Sequence, residues 1–322
     1  MALFNPSWIN IASQFGMPLF GVSGMKPFTG NYFWVDQTNG SDGNTGGPQD
    51  PFKTLSQAHS VCTNNNNDVV FLTGTVHVTA TVTWSKSRTH LIGLSPNLKT
   101  QARARISQTG STLFTPLVSV TGSECIFMNI GSFHGFDDAS AQICWQDSGG
   151  RNEYTRCLFG GMGNATAAAQ TGGRSLKITG TTGENTFTDC QIGLDTITRT
   201  GANASLEFAA GTPRNTFSRC VFPMLAGDAS PLFGIGSAAA CMDRFQWFQN
   251  CLFTNAIGST ATAITVGFSL AASSGGILVF DNCMLLGGNT STNWADAAGL
   301  AQSYIISPAT SASLGGLAIN PS

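Results

Sequence analysis

Charge is what this 322-residue chain has least of. Only 10% of its residues are Asp, Glu, Lys or Arg, where about 25% is usual. Coiled coils and helix bundles need charged outer faces, which this composition cannot supply. Fifteen basic residues against 17 acidic ones leave a net charge of −2, so disorder driven by charge is excluded. The pI near 6.0 gives no overall basic patch, and no nucleic-acid partner is expected. Long apolar runs are missing too. Asn5, Pro6, Asn10, Gln14, Gly16 and Pro18 break up the first thirty residues, and no basic residue precedes Lys26. A membrane helix needs about 20 apolar residues in a row, and a secretory signal needs a positive start before an unbroken apolar stretch. Neither pattern is present, and no membrane contact is expected. No CxxC pair, GxSxG, P-loop, HExxH or dinucleotide fingerprint occurs, so neither a cofactor nor a metal is expected.

Glycine (38 residues), Ser, Thr, Asn and Ala fill the deficit, and a repeat is written in them. Five segments align on cysteine: Tyr154-Thr-Arg-Cys157-Leu-Phe159, Phe187-Thr-Asp-Cys190-Gln-Ile192, Phe217-Ser-Arg-Cys220-Val-Phe222, Phe248-Gln-Asn-Cys251-Leu-Phe253 and Phe280-Asp-Asn-Cys283-Met-Leu285. Cys125 lies one further step back and is read as a sixth member. Asn152, Asn185 and Asn215 each fall five before their cysteine; Ile143, Leu176 and Leu206, fourteen before, open short strand-like runs. Units of Thr, Ser, Phe, Val and Gly with turns between them do not make helical repeats. They predict one coil of a parallel β-solenoid each. The fold class is therefore all-β: a single-stranded right-handed parallel β-helix of about seven coils of about 31 residues. Cys125, Cys157, Cys190, Cys220, Cys251 and Cys283 are expected to form an interior ladder of free thiols, each a small hydrophobe at a tight corner. Nine cysteines is an odd number, and free thiols place folding in a reducing compartment.

Four segments follow. Residues 1–30 read as an extended arm, 31–67 as a first strand, a Gly/Asn loop and a capping helix, 68–289 as the β-helix, and 290–322 as a C-terminal tail. In the cap, Thr54 and Gln57 form a capping box, and Leu55, Ala58, Val61 and Cys62 an apolar face. Phe33-Trp-Val-Asp36, Asn39-Gly-Ser-Asp42-Gly-Asn-Thr-Gly46 and Pro51-Phe-Lys-Thr-Leu-Ser-Gln-Ala58 resemble the opening of the pectate-lyase-like, right-handed parallel β-helix superfamily. The resemblance implies strand, loop and capping helix in that order, and it supplies the coil handedness. It leaves function open, since such folds serve polysaccharide lyases, hydrolases, tailspikes and structural virion proteins.

A lyase of that superfamily would show clustered acids and a basic residue on one outer face. The nearest approach is the position before each ladder cysteine, where Arg156, Asp189, Arg219, Asn250 and Asn282 would stack. With one carboxylate it reads as a surface charge ladder. Asp137 and Asp138 with His134, and the Asp36 to Asp42 loop, read as turns. No catalytic residues are assigned, and the chain is expected not to be an enzyme. The leading expectation is a phage capsid decoration or cement protein, located in the virion. Its arm residues Leu3, Phe4, Trp8, Ile9, Phe15, Leu19 and Phe20 would dock on the major capsid protein, and it would form homotrimers like the phage proteins it resembles. The alternative is a tailspike-like or pectate-lyase-like β-helix that binds or cleaves polysaccharide, a carbohydrate partner then replacing the capsid.

Overall fold

The computed structural model describes residues 30–96, 103–255, 261–271, 275–296 and 303–306. Its strands pass around three parallel sheets, the first, second and third faces, which hold ten, nine and eight strands. One turn runs from Glu153–Thr155 on the first face through Leu158–Gly160 on the second to Arg174–Ile178 on the third. Thr186–Thr188 then pairs with Glu153–Thr155 to open the next. This is an all-β parallel solenoid, and the eight third-face strands put its turns close to the seven expected. Among the described residues only Leu55–Val61 and Ala165–Ala168 are helical.

The interior follows from the repeat. Every second side chain of a strand faces inward, and the aromatic three before each cysteine does so. Phe127, Tyr154, Phe187, Phe217, Phe248 and Phe280 stack ring on ring at 4.9, 4.6, 4.7, 4.7 and 5.1 Å. The first face then turns onto the second through one residue. Asn129, Arg156, Asp189, Arg219, Asn250 and Asn282 hold φ between 50° and 60°, the left-handed region that lets a chain corner in a single step. The cysteine after each turn points inward and its thiol donates to a carbonyl one coil away: Cys157 to Phe127 at 3.3 Å, Cys190 to Tyr154 at 3.4 Å, Cys220 to Phe187 at 3.5 Å. Cys251 and Cys283 do the same to Phe217 and Phe248. A small apolar group with a weak S–H donor fills this corner and reaches a carbonyl of the neighbouring coil.

Cys125 is not part of that column. Tyr154 pairs with Phe127, so Ile130 lies under Cys157, and Cys125 lies under Asn152 at the other end of the strand. Its N–H donates to Asn152 Oδ1, only 27 positions on. The 32-residue interval from Cys125 to Cys157 spans a shorter coil plus one strand length, so spacing alone misplaced it. Asn152 heads a second column. Asn152 N–H donates to Asn185 Oδ1 (2.9 Å), Asn185 N–H to Asn215 Oδ1 (3.0 Å), and Asn215 Nδ2 to Gln246 Oε1 (2.8 Å), all buried. Leu176 stacks between Leu206 and Trp145; Ile143 pairs with Arg174 instead.

At the N-terminal end, strand Tyr32–Asp36 pairs with Asp68–Thr73. Thr54 caps the helix Leu55–Val61 by accepting from Gln57 N–H at 3.1 Å. The helix buries Leu55, Ala58, His59 and Cys62, while Val61 is 38% exposed. His59 takes the buried place because its flat ring lies on Trp84, with centroids 4.6 Å apart. Strands Gly288–Ala295 and Ser303–Ile306 carry the coils past residue 289. Arm residues Leu3, Phe4, Trp8, Ile9, Phe15, Leu19 and Phe20 lie outside the described residues.

Candidate functional site

Loops are inserted between the second and third faces. Residues 161–173 carry the helix Ala165–Ala168, capped by Asn164. Residues 193–203 carry the short strand Thr198–Arg199, which pairs with Leu225 and Ala226. They border the outer side of the third face, where Thr83, Ser119, Gln146, Lys177, Glu207, Ile235 and Ser269 stand in register on successive strands. Ser269 continues the row by donating to Asp296 at 2.6 Å.

Charge gathers at the centre of this row. Arg174 Nε donates to Glu207 Oε2 at 2.9 Å, with both side chains under a tenth exposed. Arg174 Nη1 also donates to the carbonyls of Thr171 and Gly173, which ties the first loop to the floor. Lys177 Nζ, 25% exposed, stands 3.4 Å from Glu207 Oε1. Burial alone would push the Glu207 carboxyl up; a hydrogen bond from Ser237 and the Arg174 and Lys177 charges outweigh it and hold the group below its ordinary value. Glu207 is therefore a carboxylate.

Behind it lies Arg199, fully enclosed. Its Nε donates to Asn203 Oδ1 (2.6 Å), Nη1 to Ser205 Oγ (2.9 Å), and Nη2 to the carbonyls of Asn203 and Leu232 (3.0 Å each). Burial first, then repulsion from Arg174, brings its pKa down to about 9, and it stays charged at neutral pH. On the wall, Asp228 Oδ2 accepts from Gly201 N–H. The floor thus carries three cations against one carboxylate.

The sequence reasoning missed all four of these residues. The signal was present: Leu176-Lys177 and Leu206-Glu207 occupy the same phase of the repeat, which stacks Lys177 on Glu207. Arg199 left no mark, because it sits in an insertion outside the repeat. Of the residues singled out earlier, Asp189 is held by Arg219 in a two-pronged pair at 2.9 and 3.1 Å. It stands on the corner between the first and second faces, away from this floor. Asp36 and Asp42 close turns, Asp36 accepting from Thr38 N–H, and Asp42 from Lys53 and Thr54 N–H. His134 is buried against the Phe114 carbonyl, while exposed Asp137 accepts from Thr166. Among the described residues no group of three or more His, Cys, Asp or Glu converges as for a metal ion.

The chain matches no family model and no curated protein. Its likeness to solved structures is clear. A pectin methylesterase in complex with a hexasaccharide superposes with TM-score 0.55 at 13% identity, over 82% of this chain and 81% of its own. A pectate lyase gives TM-score 0.50 at 14% identity, over 90% and 83%. A rhamnogalacturonan lyase gives 0.48 at 15%, over 86% and 87%. The chain thus has the parallel β-helix fold of the pectin methylesterase and the pectate lyase. The likeness is one of fold, and a resemblance to phage virion proteins is not shown. The expectation that the chain is not an enzyme is corrected: these neighbours are enzymes, so a charge-poor β-helix gives no ground for excluding catalysis.

Proposed function

We propose that the chain acts on an acidic polysaccharide held along the outer side of the third face. The observation that carries this reading is the excess of cation on the floor. Arg174 and Lys177 hold the single floor carboxylate Glu207, and Arg199 is buried against Ser205 two positions before it, in a chain whose net charge is −2. A buried guanidinium with no acid of its own raises the local potential, and Lys177 is the cation within reach of solvent. Uronate carboxylates are the sugar groups that such a floor recognises. Glu207 is kept ionised by Arg174 and Lys177; a carboxylate so stabilised is a weak base, and its part is to hold those two cations in place along the floor. Hydrolysis by a pair of carboxylates is not supported, since the floor has one.

The fold neighbours favour this reading over capsid decoration. The docking arm lies outside the described residues, and the major capsid protein, the homotrimer and the virion location gain nothing from the comparisons. The test incubates the full chain with polygalacturonate and with uncharged glycans, and follows binding by affinity electrophoresis and chain cleavage by unsaturated product. Retention and cleavage of the acidic glycan, both reduced in Lys177→Met and Glu207→Gln, are expected. Indifference of the wild-type chain to every acidic polysaccharide tried would end the proposal.

A further inference from the structure

The outer side of the first face differs from the third in shape and charge. It is bordered on one side by the single-residue corners, so no loop walls it there. Two rows run along it in register. Glu153, Thr186, Thr216, Trp247 and Val279 form one; Thr155, Thr188, Ser218, Gln249 and Asp281 form the other. Successive strands place these side chains about 4.8 Å apart. Trp247 is 36% exposed, one of four large apolar side chains so open among the described residues, and half-buried Phe245 lies two positions before it. The border arginines are held by acids, Arg151 and Arg214 by Glu184 and Arg219 by Asp189, while the rows themselves carry the carboxylates Glu153 and Asp281.

We propose that this strip binds an uncharged, extended polysaccharide, with sugar rings lying on Trp247 and sugar hydroxyls meeting Thr216, Thr188, Ser218 and Gln249. An indole lying open in a row of hydroxyls matches a pyranose, whose ring face is apolar and whose edge is polar. A flat, regular strip suits a chain that repeats, because each weak contact recurs along it. Glu153 and Asp281, which stand in the rows, repel an anionic chain. The strip is distinct from the third-face floor in its residues and in the charge of its ligand.

The test is affinity electrophoresis of the full chain through gels containing hydroxyethylcellulose, glucomannan or xylan, with tryptophan fluorescence followed in parallel. The wild-type chain should be retarded by at least one of them. Trp247→Ala should weaken that binding roughly tenfold or more, Trp247→Phe should retain part of it, and Thr188→Val with Thr216→Val should weaken it further. Trp247 is exposed, so the variants should keep the wild-type circular dichroism. Lys177→Met should bind these uncharged glycans unchanged. The proposal fails if the wild-type chain ignores all three, if Trp247→Ala binds as tightly, or if Lys177→Met loses the binding. The last result would place the sugar on the third face and leave the acidic-glycan reading standing.

Discussion

The Tyr154 hydroxyl lies 2.5 Å from Asp147 Oδ2 inside the coil, and both residues are fully buried. Trp145 Nε1 donates to the same hydroxyl at 3.3 Å, and Asn152 Nδ2 and Gly150 N–H complete the shell of Asp147. Five of the six stacked rings are phenylalanine. Tyrosine stands where a buried carboxyl needs a donor, so one departure from the repeat explains another.

Removing that donor isolates a polar group in the core. Tyr154→Phe should cost about 1–3 kcal/mol, read as a lowered urea midpoint at constant slope. A variant as stable as wild type would show that the hydrogen bond contributes nothing.

The pH dependence carries a sign. Burial raises the Asp147 carboxyl above its ordinary 3.8 despite the hydrogen bonds from Tyr154, Asn152 and Gly150. A raised acid binds its proton more tightly folded than unfolded, so its contribution is complete below the ordinary value and is lost as pH climbs through the folded one. Urea midpoints measured between about pH 4 and about pH 8 should therefore fall with pH less steeply in Asp147→Asn than in wild type. Parallel slopes would rule out Asp147 as the titrating group.

The coils were legible because they repeat. A ring, a left-handed residue, a thiol and an apolar residue recur in one order, and each has one physical place in the turn. Interval counting failed where coil length changes, as between Phe127 and Tyr154, and there it misassigned Cys125. Arg174, Lys177 and Glu207 lie in strands that the repeat had located, yet a charge on an outward position carries no signal until its neighbour in the next coil is known. Arg199 is harder still, since it comes from an insertion whose path depends on the scaffold beneath it.

Lys86 closes the C-terminal end of the helix Leu55–Val61. Its ammonium donates to the carbonyls of His59, Ser60 and Cys62 at 2.8, 2.6 and 2.5 Å, where a helix leaves acceptors unpaired and its dipole is negative. Lys86→Met should lose about 1–3 kcal/mol, and Lys86→Arg should recover part of it. Equal urea midpoints for Lys86→Met and wild type would show that water serves these carbonyls as well.

The cysteines should differ in reactivity. Eight are buried, and Cys283 at the end of the column is partly open. Its hydrogen bond with Cys251, then burial, push its thiol well up, which suppresses the reactive thiolate. An aromatic disulfide reagent should therefore label one thiol slowly in the native chain and all nine after unfolding. Cys283→Ser should abolish the slow native phase. Rapid labelling of several thiols would mean that the column opens readily.

Arg199 offers the sharpest test of the loop wall, because its size and its fork can be separated. Four acceptors from Asn203, Ser205 and Leu232 depend on one planar guanidinium. Arg199→Lys keeps the charge but cannot reach them all, and Arg199→Met keeps the bulk and removes every donor. Both should be destabilised, Arg199→Met by about 3–5 kcal/mol, since four buried acceptors lose their partner together. Hydrogen exchange should quicken first in residues 198–203, which the guanidinium fastens to the third face. If exchange there stayed slow in Arg199→Met, the pairing of Thr198 and Arg199 with Leu225 and Ala226 would be what holds the wall.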